Sequence, residues 1–240
     1  MTLSTILIFL AATFTGSTIQ AVSGFGFGIF VMTIFPHILP SATCAALSTM
    51  LSVTSSVYLA IKLRKNCNYR RIALPVLAYF VVSFVAISLS AVSPDAILKK
   101  CLAAALIALS IYFLFFSAKI RIKPSPAAGL IAGSLGGILG GFFATGGPPI
   151  VVYLLNASED NEHYLADIQT YFAITGVYST IVRATKGLIT MQVIGWWGIG
   201  MAAMLLGVVV GRALFRRMNP AMLKKVVYCY MAVSGIIMLL

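Results

Sequence analysis

The residues that could do chemistry in this chain gather at two places. One is "ATGGPPI", Ala144 to Ile150, where Gly146 and Gly147 precede the adjacent prolines Pro148 and Pro149. The other is "SGFGFGIF", Ser23 to Phe30, with Gly24, Gly26 and Gly28 in alternation. Both interrupt runs that otherwise read as membrane-spanning helix. Unpaired backbone groups in hydrocarbon cost on the order of several kcal/mol each, so a broken backbone at that depth persists only where it is buried in protein or lines a watery cavity. Gly146 and Gly147 are expected to make a turn closed to other residues, and Pro148 to open a new helical limb, where its missing N–H has no consequence. A helix N-terminus aimed at the membrane midplane offers exposed amides and a partial positive charge, and two such termini converging from opposite faces suit a small anion. Because the prolines have no amide hydrogen, the donors on that side are Gly146, Gly147 and Ile150. Side chains of Gln20, Ser23, Thr145 and Gln169 are expected to supply the rest. Gly16, and Gly129, Gly133 and Gly136 at steps of four and three, read instead as positions where helices approach closely.

Other side chains have two readings each. Arg183, in "YSTIVRATKG", is either a partner for the anion or an interfacial cation snorkelling beside Lys186. Asp167 either carries a coupling proton or caps a helix start. Tyr171, Thr175 and Tyr178 recur at steps of three and four, as a polar path or as a packing stripe. Cys44, Cys67, Cys101 and Cys229 show no CxxC spacing and the only histidines are His37 and His163, which argues against zinc, haem, iron–sulfur or a disulfide framework; no cofactor is expected. Catalysis would want clustered His, Cys or carboxylates. The chain has five Asp and Glu, three of them in "SEDNEH", so a membrane-embedded enzyme is the weaker alternative. No ATP-binding motif appears, which leaves ion or substrate gradients as the source of energy.

The elements that must hold these residues are set by composition. Of 240 residues, 60% are hydrophobic and 9% charged, and the mean hydropathy is +1.02, which places the chain among all-α, multi-pass integral membrane proteins; the cell (inner) membrane is its expected location. The net charge of +12 comes from Lys and Arg clustered at helix ends, so the lipid bilayer, not nucleic acid, is the expected partner. The N-terminus lacks the basic opening of a signal peptide and is expected to be retained. Eight apolar segments can be read: about 3–35, 41–61, 72–92, 96–118, 126–155, 164–182, 190–211 and 221–240.

The first and fifth segments are too long for one upright crossing, and they are the glycine-rich ones. "GSTIQAVSGF" from Gly16 matches "GSLGGILGGF" from Gly133, and "SPDAILKKCL" from Ser93 matches "NPAMLKKVV" from Asn219, at offsets of 117 and about 125 residues. The chain therefore divides into two repeats, 1–123 and 124–240, each a broken Gly-rich segment plus three transmembrane helices. If each long segment crosses once, the 17 basic residues split 10 to 7 between the faces; if each folds back as a hairpin they split 13 to 4, with the clusters at 62–71, 119–123 and 212–225 together. The hairpin arrangement obeys the positive-inside rule and makes the repeats inverted. Limbs of roughly 15 residues give about 22 Å of helix, enough to pass the midplane and return.

A duplicated chain of this length with "SGFGFGIFVMTIFP" in its first copy and "TGGPPIVVYLL" in its second resembles the sulfite exporter TauE/SafE family over nearly its whole length. The resemblance implies a transporter of sulfite, sulfoacetate or related organosulfonates, with no enzymatic activity. The expected mechanism is alternating access at a midplane site between the repeats, formed by Gln20, Ser23, Gly24, Gly26, Gly28, Thr145, Gly146, Gly147, Pro148, Gln169 and Arg183. The "GFGFG" here stands where many relatives carry a denser glycine run, so Phe25 and Phe27 are expected to narrow the first half of the site. A passive channel for the same anions is the alternative.

Overall fold

Proline or glycine stands at the start or end of several helices of this chain. The computed structural model describes residues 3–112 and 123–215 together with Ile236, apart from the side chains of Val22, Ser23, Arg212, Leu214 and Phe215. Among these residues the elements are α1 (Leu3–Ser23), α2 (Phe27–Val31), α3 (Ser41–Leu63), α4 (Tyr69–Val92), α5 (Asp95–Ile111), α6 (Pro126–Phe143), α7 (Gly147–Ala157), α8 (Asn161–Thr185) and α9 (Met191–Phe215). Helices α3 and α5 start directly after Pro40 and Pro94. Helix α6 starts at Pro126 behind Ser125, whose hydroxyl accepts from the Ala128 N–H at 3.1 Å, the usual way to satisfy a donor left over in a first turn. The expected segment 221–240, the "NPAMLKKVV" copy and Cys229 lie outside the described residues.

Five helices, α1, α3, α4, α6 and α9, have the length and apolar composition to cross a membrane. Helix α8 has the length, at 25 residues, but carries Glu162, Asp167 and Arg183. It can do so because it lies inside, packed against α3 and α4, and turns its polar residues toward them.

Each long segment is two helices joined at a break, and each folds back on itself. In the first, Phe9 of α1 stacks near Phe35 beyond α2, ring centroids 5.1 Å apart, and Gly16 faces Phe27 and Val31. In the second, Gly129 near the start of α6 faces the Tyr153 hydroxyl near the end of α7, and Gly136 faces Gly146. The two tips touch. Gly28 lies against the Ala144 carbonyl, where a methyl group would collide, and Phe25 sits beside Gly147. The bases lie apart: Phe35 leads into the start of α3, whereas the Tyr153 hydroxyl reaches the Arg71 carbonyl at 3.5 Å, beside the loop that ends α3. That carbonyl is available because Pro75, four residues on in α4, has no N–H to give it.

The glycines read as packing positions have that role. Gly133 lies on the backbone of Pro75, and Gly137 and Gly141 lie on Val82, Ser83 and Ala86, so α4 and α6 approach at backbone distance. The expectation that Gly146 and Gly147 supply a special turn is corrected. Gly146 has φ −70°, open to any residue, and the left-handed residue of the second break is Ala144, at φ 56°. Gly146 is needed because a side chain would strike Gly136 and Gly140. In the first break the left-handed positions are glycines, Gly24 at φ 80° and Gly26 at φ 103°.

Candidate functional site

Where the tips meet they enclose a cavity of about 80 Å3. A water needs about 10 to 15 Å3 on this measure, so the space suits several waters or one compact ligand. The first break contributes Phe25, Gly26, Phe27, Gly28 and Ile29, and the second Gly140, Ala144, Thr145, Gly146 and Gly147. Between them stand Gln20 of α1, Thr49, Ser52 and Ser56 of α3, Tyr79 of α4, and Tyr171, Phe172, Thr175 and Gly176 of α8. Among the described residues no His, Cys or carboxylate lines it.

The polar atoms facing this space are only partly satisfied. Gln20 Oε1, Ser56 Oγ and the Tyr171 hydroxyl are buried with no hydrogen-bond partner among the described residues, and so is Ser48 Oγ, next to Gly28. A buried orphan of this kind costs about 1 to 3 kcal/mol, so its presence at several adjacent positions marks a place for something to be bound. The first four N–H groups of a helix have no partner within it, and in α7 two of the four residues are prolines, which leaves Gly147 and Ile150. Pro148 stands in the first turn of α7, within a residue of its expected place.

Of the residues singled out in the sequence, Gln20, Gly26, Gly28, Thr145, Gly146 and Gly147 come together at this cavity. Gly24 and Gln169 lie just beyond it, joined by a hydrogen bond of 2.8 Å from Gln169 Nε2 to the Gly24 carbonyl. With Gln20 and Ser55 they line a smaller space of about 50 Å3. Ser23 closes α1 by its backbone; its side chain lies outside the described residues. Pro148 is buried in α7 without lining the cavity.

Arg183 neither lines the cavity nor snorkels. It is fully buried, and its Nη2 donates to the Gly140 and Gly141 carbonyls at 3.1 and 2.6 Å. Lys186 instead lies over the Phe84 ring, 5.1 Å from its centroid. Tyr178 packs: its ring stacks on Phe80 at 4.1 Å and its hydroxyl donates to the Phe80 carbonyl. The polar stripe of α8 is instead Asp167, Tyr171, Thr175, Ser179 and Arg183, every fourth residue and all buried.

Asp167 does not cap α8; Asp160 does, accepting from the Glu162 and His163 N–H groups at 2.9 Å each. Asp167 is fully buried and accepts from Arg71 at 2.7 Å, from the Asn68 N–H at 2.7 Å and from Ser158 at 3.2 Å. Arg71 also reaches Glu159 at 3.2 Å, and Asn66 reaches Glu162 at 3.3 Å. These bonds tie the α3–α4 loop to the α7–α8 loop and close one end of the bundle below the cavity. Sequence reasoning missed Arg71, Tyr79 and the α3 hydroxyls. The last had a signal, since Thr49, Ser52 and Ser56 recur at helical spacing in a membrane segment.

The family model described as "Sulfite exporter TauE/SafE" matches residues 8–238 of the chain. A relative from Cupriavidus necator, described as "Probable sulfite/organosulfonate exporter TauE", is 22% identical over 225 residues, covering 89% of this chain and 85% of its own. No solved structure matches. With a multi-pass helical body and a glycine-rich break in each of its two long segments, matched over nearly its full length, the chain belongs to the sulfite exporter TauE/SafE family.

Proposed function

We propose that this protein is a secondary transporter of small sulfur-containing anions, sulfite, sulfoacetate or related organosulfonates, which it binds in the cavity at the touching tips. The observation that carries the reading is the cavity itself: two backbone breaks meet around a space lined by unsatisfied hydroxyls and by Gly147 in the first turn of α7. Hydroxyl and amide hydrogens are the donors an oxyanion needs. That the described lining residues include no His, Cys or carboxylate favours carriage over catalysis.

The mechanism we infer is alternating access by two inverted repeats, residues 1–123 and 124–240, in the inner membrane. Three features support it. The hairpins fold back from bases at opposite ends of α3, their tips meet midway, and the Arg71–Asp167–Glu159 cluster shuts one end while the cavity persists. Rocking of the repeats would break that cluster and open the site to the other face. A passive channel needs no alternation of this kind, and saturable counterflow separates the two readings.

The test is counterflow in liposomes. Protein preloaded with unlabelled sulfite should drive saturable uptake of labelled sulfite, and sulfoacetate should compete. Flux that rises linearly with concentration would identify a channel, and no flux with any sulfur oxyanion would end the substrate assignment.

A further inference from the structure

Among the described residues Arg183 has no counter-charge. It is fully buried, Nη2 serves the Gly140 and Gly141 carbonyls, and Nε and Nη1 have no partner among the described residues. A buried guanidinium is ordinarily held by a carboxylate. The chain has five acidic residues, and each is held elsewhere. Asp95 is bound by Lys99 and the Ser41 N–H, Asp160 by His163, Glu162 by Asn66, and Glu159 and Asp167 by Arg71. Asp167 shares α8 with Arg183 but lies four such steps earlier, about 24 Å away along the helix.

The carbonyls that Arg183 holds belong to the last turn of α6, the negative pole of that helix. At this tip the negative end of α6 and the positive start of α7 stand side by side, and left alone they would largely cancel. Gly140 lines the cavity, so Arg183 stands one peptide unit behind its wall. The first tip is served by a neutral group, Gln169 on the Gly24 carbonyl.

We infer that Arg183 is the positioning charge that makes the cavity select net anions: its full charge exceeds the partial negative charge of about one half at the end of α6, and the ligand in the cavity supplies the rest of its counter-charge. This rests on the cavity being the anion site. It adds a substrate rule, because an uncompensated cation behind the wall disfavours a ligand's ammonium group. Sulfonates of net negative charge, such as sulfoacetate, bind; zwitterionic aminosulfonates, such as taurine, do not.

The field is measured with a thiol. Thr145→Cys is made in full-length protein carrying Cys44→Ala, Cys67→Ser, Cys101→Ser and Cys229→Ser, and thiolate absorbance is followed with pH. Burial alone raises a thiol above its usual value of about 8.5, whereas a nearby unpaired cation lowers it. The introduced thiol should titrate below about 8.5 with Arg183 present, rise by about one unit or more on adding Arg183→Gln, and return with Arg183→Lys. A value at or above 8.5 with Arg183 present overturns the inference even if Arg183→Gln does not fold, and so does a value that Arg183→Gln leaves unmoved. In the otherwise native chain, sulfite affinity read by thermal stabilisation should fall about tenfold or more in Arg183→Gln and stay within about threefold in Arg183→Lys, with taurine giving no shift in wild type. If the thiol responds as expected while no sulfur oxyanion binds wild type, the charge role stands and the proposed substrate falls. If sulfite binds wild type and Arg183→Gln alike and the thiol is unmoved, the substrate stands and the charge role falls.

Discussion

Thr145 shows how little slack the site has. Its side chain is buried beside the cavity, and its hydroxyl donates to the Leu139 carbonyl over a long 3.3 Å, a hydrogen for which a bound oxyanion would compete. Thr145→Val removes the hydroxyl at nearly constant volume and should weaken sulfite affinity by about 1 kcal/mol, roughly fivefold, in a calorimetric titration; an unchanged Kd would return Thr145 to a packing role. Gly28 tests the contact between the tips. A methyl group there meets the Ala144 carbonyl, so Gly28→Ala should push the tips apart, lower the melting temperature of the ligand-free protein and abolish counterflow. Full activity in that variant would mean that the tips separate without consequence. At this scale the sequence was informative about glycine and proline, because each marks a backbone event by its own chemistry. It was silent about Arg71 and misleading about Arg183. Arg71 finds Asp167 across 96 positions of chain, and burial of Arg183 depends on carbonyls more than 40 residues away, neither of which local spacing can encode.

The helices were legible to within a few residues wherever a proline or a polar loop bounded them, as in α3, α4 and α9. What could not be read was that the apolar spans must make room for α8, whose polar face only has meaning once α3 and α4 surround it. The start of α8 gives a prediction in pH. The hydrogen bond to the Asp160 side chain raises the His163 imidazole above the ordinary histidine range, and hydrogen bonds from the His163 backbone and ring lower the Asp160 carboxyl. A raised histidine stabilises the native helix start fully below its unfolded value of about 6.5, and that contribution disappears as the pH rises through the native value. For Asp160, lowered, the contribution is present above about 3.9 and lost on acidification. The two windows overlap between roughly pH 4 and 6.5. Nuclear magnetic resonance of the imidazole should therefore give His163 an elevated pKa that falls back in Asp160→Asn; an identical titration in both proteins would show that the contact does not form.

At the scale of the whole molecule, the closure beneath the cavity makes a statement about sidedness. Cys67 and Ser158 lie on loops that share the Arg71–Asp167–Glu159 cluster, which puts them at the same end of the bundle, and in the inverted arrangement we propose that end faces the cytoplasm. With Cys44, Cys101 and Cys229 replaced, Cys67, and a Ser158→Cys variant lacking Cys67, should both resist a membrane-impermeant thiol reagent in intact cells and react once the membrane is permeabilised. Labelling of position 158 alone in intact cells would overturn the inverted arrangement. The same cluster bears on how the protein is made. Helix α8 has to be inserted carrying Asp167 and Arg183, and a charged residue costs an isolated helix up to about 2.5 to 3.5 kcal/mol at the membrane centre and less towards its ends. Its two compensations, Arg71 for Asp167 and the end of α6 for Arg183, both lie earlier in the chain. Synthesis from the N-terminus thus has both receptors inserted before α8 leaves the ribosome, whereas a chain begun at residue 124 would present Asp167 to the translocon with no arginine to meet it.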